Sequence, residues 1–218
     1  MSLSPELRQR VLASVATVPA PTRAQTIRAR VWLFVAGIAG AVAIFFLKGG
    51  VRITNRPPVL VAITSLGTSI IAGVGMYFLF TKRGRHMMRR PWTWLVAAAA
   101  LSALAFLAWR YGFSAAFGLT DRWPDRPGLR CLRLSILTGA LPLFAALASW
   151  RGTDPVTPAA TGAAFGAGAG LGSAVLVDLW CPVSHVPHLL LGHVLPILLL
   201  SIAGALFGWR VLQIRRRR

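Results

Sequence analysis

Six runs of uncharged, largely apolar residues constrain this chain more than anything else in it: residues 31–47, 59–80, 92–109, 134–150, 158–177 and 189–209. None of them holds an Asp, Glu, Lys or Arg. A helix that crosses a bilayer needs about 20 apolar residues, within a range of about 17–25. A lone charge at mid-bilayer costs roughly 2.5–3.5 kcal/mol on insertion scales. Six uninterrupted runs of that length predict an all-α integral membrane protein, a bundle of six transmembrane helices in the lipid bilayer.

The remaining composition fits between these runs. Lys and Arg number 24 against five acidic residues, for a net charge of +19. Such a charge on a soluble protein would suggest nucleic acid as partner. Here the bands of seventeen or more uncharged residues leave no solvated face, so direct nucleic-acid binding is excluded. The tryptophans mark the ends of the runs. Trp32, Trp92, Trp94, Trp109, Trp150, Trp180 and Trp209 fall at or near them, and Trp123 lies in a longer loop. Indole favours the headgroup interface, where the ring is half buried and its N–H meets water.

An even number of crossings puts both termini on one side. Counted on that side are the Lys and Arg of the leader, the second connection, Arg151 and the tail, sixteen in all; the other side holds eight. The positive-inside rule therefore predicts both termini in the cytoplasm. The expected organisation is a cytoplasmic leader over residues 1–30, a six-helix membrane domain over 31–209 and a basic cytoplasmic tail over 210–218. The first run begins only at Val31, and its end, Ala43–Leu47, is hydrophobic rather than a small-residue cleavage site, so the leader is expected to persist. In it, Ser4 suits an N-cap and Pro5 a first helical position, while Leu7, Val11, Leu12 and Val15 share one face. So short a helix is marginal alone and gains order on lipid or in a partner's groove.

Catalysis finds little support. Glu6 is the sole glutamate, and no phosphate-binding glycine loop, zinc-protease motif or paired carboxylate is present. The chain does not read as an enzyme. Gly162, Gly166 and Gly170 recur every four residues on the fifth run, a spacing that lets helix backbones approach closely. Pro142 and Pro196 should kink the fourth and sixth runs, leaving carbonyls for neighbouring helices or water to satisfy.

One cluster carries chemistry. Asp178, Cys181, His185 and His188 lie close together near the ends of the last two runs, with His193 one turn further on. The only other cysteine, Cys131, precedes the fourth run on the same side. Two thiols facing an oxidising compartment can form a disulfide. Equally, Cys131, Cys181, His185 and His188 offer soft thiolate and imidazole ligands for a transition metal such as zinc, cadmium or copper(I). His193 is the only side chain inside a run that could titrate near neutral pH, which marks it as a further candidate ligand. A structural bridge between loops remains the plain alternative.

The layout, the cysteine opening the fourth span (Leu129-Arg130-Cys131-Leu132) and the stretch Leu179-Trp180-Cys181-Pro182 followed by His193 resemble the NrsF family of bacterial membrane anti-sigma factors. The leader's Ser4-Pro5-Glu6-Leu7 is similar to that family's N-terminal segment. The resemblance implies a multi-pass protein of the inner membrane that sequesters an extracytoplasmic-function sigma factor. It also implies release on a periplasmic stress sensed through Cys131 and Cys181. The leader here is very short for that task, so its apolar face is expected to share the grip on the sigma factor with the loop 81–91. The added His185 and His188 point towards metal rather than thiol chemistry alone. A different class of function, a small metal-handling or solute transporter, would need a polar path at mid-membrane. Ser65, Thr68, Ser69 and His193 are the residues available for one.

Overall fold

The structure is a computed structural model, which describes residues 4, 6, 9, 13, 22–48, 58–80, 91–118, 128–151, 155–181 and 183–213. Six helices in it are long and apolar enough to cross a membrane. They are α1 (Arg23–Leu47), α2 (Pro58–Phe80), α3 (Pro91–Ala116), α4 (Leu129–Ser149), α5 (Pro158–Trp180) and α6 (Val186–Val211). No strand occurs among the described residues. The leader face of Leu7, Val11, Leu12 and Val15 lies outside them, as does the connection 81–90.

Local sequence accounts for the helix starts. Thr22 closes a capping box on α1: its hydroxyl accepts from the Gln25 N–H at 3.2 Å, and the Gln25 side chain accepts from the Thr22 N–H at 2.9 Å. Two of the N–H groups that a helix start leaves without partners are thereby satisfied. Proline opens α2, α3 and α5, where its missing N–H costs nothing. Gly128, at φ +85°, turns the chain into α4.

Packing centres on α5, whose spanning window is 67% buried, against 17% for α1 and for α3. It touches every other helix, and α6 most extensively. The close approach rests on the glycine stripe. A Cβ on Gly162 would fall on the carbonyl oxygen of Gly204, and one on Gly166 on that of Leu200. At Gly170 it would lie 2.7 Å from the Ile197 Cα. No larger residue fits without parting the two helices. On the opposite flank α1 packs chiefly on α4, with Gly37 set against Ala145 and the backbone of Leu141 and Pro142. Large apolar side chains such as Trp32, Phe34, Leu101 and Leu104 stay exposed, as lipid-facing surface must.

Pro196 disturbs α6 as anticipated. It has no N–H for the carbonyl of Gly192, four residues earlier, and the Ser135 hydroxyl of α4 donates to that oxygen at 3.2 Å. Just ahead, residues 190–194 wind as a π-turn.

Two boundary features depart from the sequence reading. Helix α3 runs past residue 109 to Ala116 and so includes Arg110, while α5 extends to Trp180 and includes Asp178. Trp109 lies inside α3 rather than at its end. Its indole lies across Gly67 and donates to the Thr64 carbonyl at 3.0 Å. The lengthened α3 turns this tryptophan inward, onto α2.

Candidate metal centre

The start of α4, the end of α5 and the start of α6 meet at one end of the bundle. Cys131 occupies the first turn of α4. Cys181 caps α5, its N–H donating to the Val177 carbonyl at 2.9 Å. After a short non-helical connection, His188 sits in the first turn of α6 and His193 in the π-turn. One donor atom from each of these four residues lies within 4.8 Å of the other three, and all four residues are buried. Both cysteines are free thiols.

The π-turn makes this set possible. On a regular α-helix, residues five apart point about 140° away from each other. A turn closed by i to i+5 hydrogen bonds brings such residues onto one face, and π-turns of this kind occur often at functional sites. The rings of His188 and His193 accordingly lie 5.9 Å apart, centroid to centroid. Glycine supplies the room: a Cβ at Gly192 would stand 2.9 Å from the Cβ of Cys131. Gly192→Val should therefore push α6 off Cys131 and weaken capture of a soft cation on the order of 10–100-fold. Competition against a zinc-binding dye would measure this.

The imidazole of His188 stands between the thiols, its Nε2 at 3.0 Å from the Cys181 Sγ and 3.6 Å from the Cys131 Sγ. His193 is fully buried, stacked on Phe106 at 5.7 Å between ring centroids, and neither of its ring nitrogens has a hydrogen-bond partner. Leaving a buried polar group unpaired costs about 1–3 kcal/mol. A cation among the four donors would satisfy it. Two sulfurs and two imidazole nitrogens suit tetrahedral zinc, cadmium or copper(I), and two thiolates neutralise a divalent charge. Magnesium and calcium, which take oxygen ligands, do not fit such a set.

Sequence reasoning foresaw both cysteines, His188 and His193. It also offered His185, the histidine nearest Cys181, as a ligand. His185 lies outside the four-donor group, half-buried at the N-cap of α6. Its place is taken by His193, from the spacing that a regular helix would forbid. Asp178 is no ligand either. Its carboxylate is engaged by Arg110, with Nε at 3.1 Å from Oδ1, and by the Thr68 hydroxyl, which donates to Oδ2 at 3.1 Å. Arg110 also went unseen in the sequence. The only hint was a lone arginine and a lone aspartate, each just past the end of an uncharged run on the same side.

The sequence profile of the NrsF family, described as negative regulator of sigma F, matches residues 14–213. The chain belongs to the NrsF family. The match spans all six helices, and the family name implies negative regulation of a sigma factor, with a sigma factor as partner and a regulatory rather than catalytic role. No curated protein and no solved structure matches this NrsF-family chain.

Proposed function

We propose that the chain is an anti-sigma factor of the bacterial inner membrane. On this reading it holds an extracytoplasmic-function sigma factor inactive and releases it when a periplasmic metal or redox signal reaches Cys131 and Cys181. The observation that carries this reading is the meeting of two buried thiols and two buried imidazoles, from three spans, in a member of a family named for regulating a sigma factor. The count of sixteen Lys and Arg against eight supports an orientation with both termini in the cytoplasm. The four-donor end then faces the periplasm. The leader face of Leu7, Val11, Leu12 and Val15, together with the loop 81–91, grips the sigma factor.

Metal capture is favoured over disulfide formation. A disulfide needs its sulfurs about 2.05 Å apart, and each thiol must give up a proton and an electron to an outside oxidant. That bond would take both S–H donors from beside the His188 imidazole and give the ring nitrogens of His193 no partner. A soft cation uses all four donors.

Capture has a mechanical consequence. Tetrahedral zinc with bonds of about 2.0–2.3 Å places its ligand atoms roughly 3.3–3.8 Å apart, so a site now spread over as much as 4.8 Å contracts. Cys181, His188 and His193 ride on α5, α6 and their connection, which the glycine seam holds as one body. Cys131 rides on α4, and α4 carries α1 through the Gly37 contact and through Arg30, whose guanidinium lies 5.6 Å over the Trp150 ring. Contraction therefore draws α4 towards the α5–α6 pair, and α1 transmits the shift to the leader. A ligand moves such an equilibrium only as far as its affinity differs between the two states.

Co-purification tests the assignment. Full-length protein in detergent should retain a cytoplasmic sigma factor, and a chain lacking residues 2–20 should lose at least ten-fold of it. That deletion stops short of the Thr22 cap, so α1 stays intact. Retention of no sigma factor by the full-length protein would return the transporter reading to first place.

A further inference from the structure

Arg110 is only 2% exposed, a guanidinium buried in a bundle whose interior, among the described residues, holds no Asp, Glu, Lys or Arg besides it and Asp178. Burying a charge at this depth is costly, and what it contacts explains its presence. One terminal nitrogen of Arg110, Nη2, donates to the carbonyl of Cys181 at 3.2 Å and to that of Val183 at 3.3 Å. These carbonyls belong to the non-helical connection between α5 and α6. Irregular backbone at membrane depth persists only where protein or trapped water supplies the missing hydrogen bonds. Arg110 supplies two. Its charge is balanced by Asp178, one helical turn before Cys181 on α5, whose second oxygen accepts from Thr68 of α2.

Three helices, α2, α3 and α5, are thus tied together at the point where Cys181 leaves α5. None of the atoms in this network belongs to α4 or α6, which carry Cys131, His188 and His193. The network anchors one wall of the site, and the other three donors are anchored elsewhere.

We infer that Arg110 and Asp178 are positioning residues for the thiol–imidazole site, the guanidinium fixing the carbonyls of Cys181 and Val183 and thereby the separation of the two thiols. This rests on the reading of the cluster as the sensing site, yet the separation itself is measurable without metal, stress or sigma factor. A residue that merely glued helices together would need the ion pair alone and would have no use for two carbonyls of the connection. Lysine separates the two roles. It keeps the charge opposite Asp178, but a single ammonium on a flexible stem cannot reproduce the planar fork that engages a carboxylate and two carbonyls together.

The test uses full-length protein in detergent micelles and dibromobimane, which becomes fluorescent when it has alkylated two neighbouring thiols. Wild type should be bridged between Cys131 and Cys181. Arg110→Lys should bridge at least ten-fold more slowly, while its helical circular dichroism and elution volume stay those of wild type. Single-cysteine versions of both proteins should react with monobromobimane at rates within two-fold of each other, which separates a changed spacing from a changed exposure. Where Arg110→Lys fails to accumulate, the neutral pair Arg110→Gln with Asp178→Asn takes its place, with the same ten-fold loss expected. Bridging of either folded variant at the wild-type rate, or no bridging of wild type, overturns the assignment. Slowed bridging in a protein that responds to no metal or oxidant would keep the positioning role and remove the sensing function instead.

Discussion

Cys181→Ser should leave the sigma factor captured but abolish its release, so that a reporter induced in wild-type cells by a thiol-reactive metal stays at its basal level. The substitution removes one sulfur ligand and nearly nothing else. Serine is close to isosteric, and its hydroxyl can still donate to the His188 Nε2 that the thiol now meets at 3.0 Å. The cost is burial of a hydroxyl in the apolar cluster formed with Phe45, Leu134, Val177 and Val183, roughly 0.5–2 kcal/mol when a partner is retained. The bundle should therefore stay folded. Metal capture suffers far more. Structural zinc sites bind with about 10–16 kcal/mol, so losing one of four ligands removes roughly 3–4 kcal/mol, two to three orders of magnitude in affinity.

Two measurements check this: zinc or cadmium affinity of the purified variant, and retention of the sigma factor with and without metal. On the proposed reading the sigma factor is held away from the site, so retention without metal should match wild type. If protein carrying both Cys131→Ser and Cys181→Ser still releases its partner normally under the inducing stress, the sensing role of the site is finished. Cys131→Ser alone should resemble Cys181→Ser in metal affinity. It removes the one ligand carried by α4, and with it the tie that a bound metal would make between α4 and the α5–α6 pair.

How far this site could be read in advance follows from the kind of signal each residue leaves. The six spans were legible because exclusion of charge is a property of consecutive residues. The ends of α3 and α5 were not, because Arg110 and Asp178 satisfy each other across the bundle. Local sequence shows an arginine and an aspartate, each just past an apolar run, and contains nothing that pairs them. Trp109 misled for a related reason: an indole near a span end suits a headgroup interface as well as it suits the carbonyl of Thr64 over a glycine. The cysteines stood out by rarity. Choosing between His185 and His193 required the winding of α6, and proximity in sequence favoured His185. The π-turn that reverses this preference follows from Pro196 breaking the ladder and Gly192 admitting α4, and neither is a periodic signal. The leader's apolar face remains a sequence expectation, since Leu7, Val11, Leu12 and Val15 lie outside the described residues.

The largest effect on stability should come from Gly166→Leu. A Cβ there already falls on the Leu200 carbonyl oxygen, and the branched side chain adds three more carbons to a seam without space. Within lipid no hydrophobic force holds helices together, since lipid tails are as apolar as leucine, so close packing carries the association. Overpacking a well-fitted contact costs about 1–3 kcal/mol and at times more. Helices that part along their whole length should reach the upper part of that range. Gly73→Leu is the control: its Cβ meets nothing within 4 Å, and the same change of residue there should be nearly neutral. Thermal unfolding of both variants in one detergent gives the comparison, with a markedly lower midpoint for Gly166→Leu alone. The metal site adds a second readout, because Cys181, His188 and His193 are held in register only while α5 and α6 move as one body. Gly166→Leu should weaken metal capture although the residue touches none of the four donors. Equal midpoints and equal metal affinities for the two variants would mean that the seam yields easily, and the shift on capture could then no longer be assigned to α4.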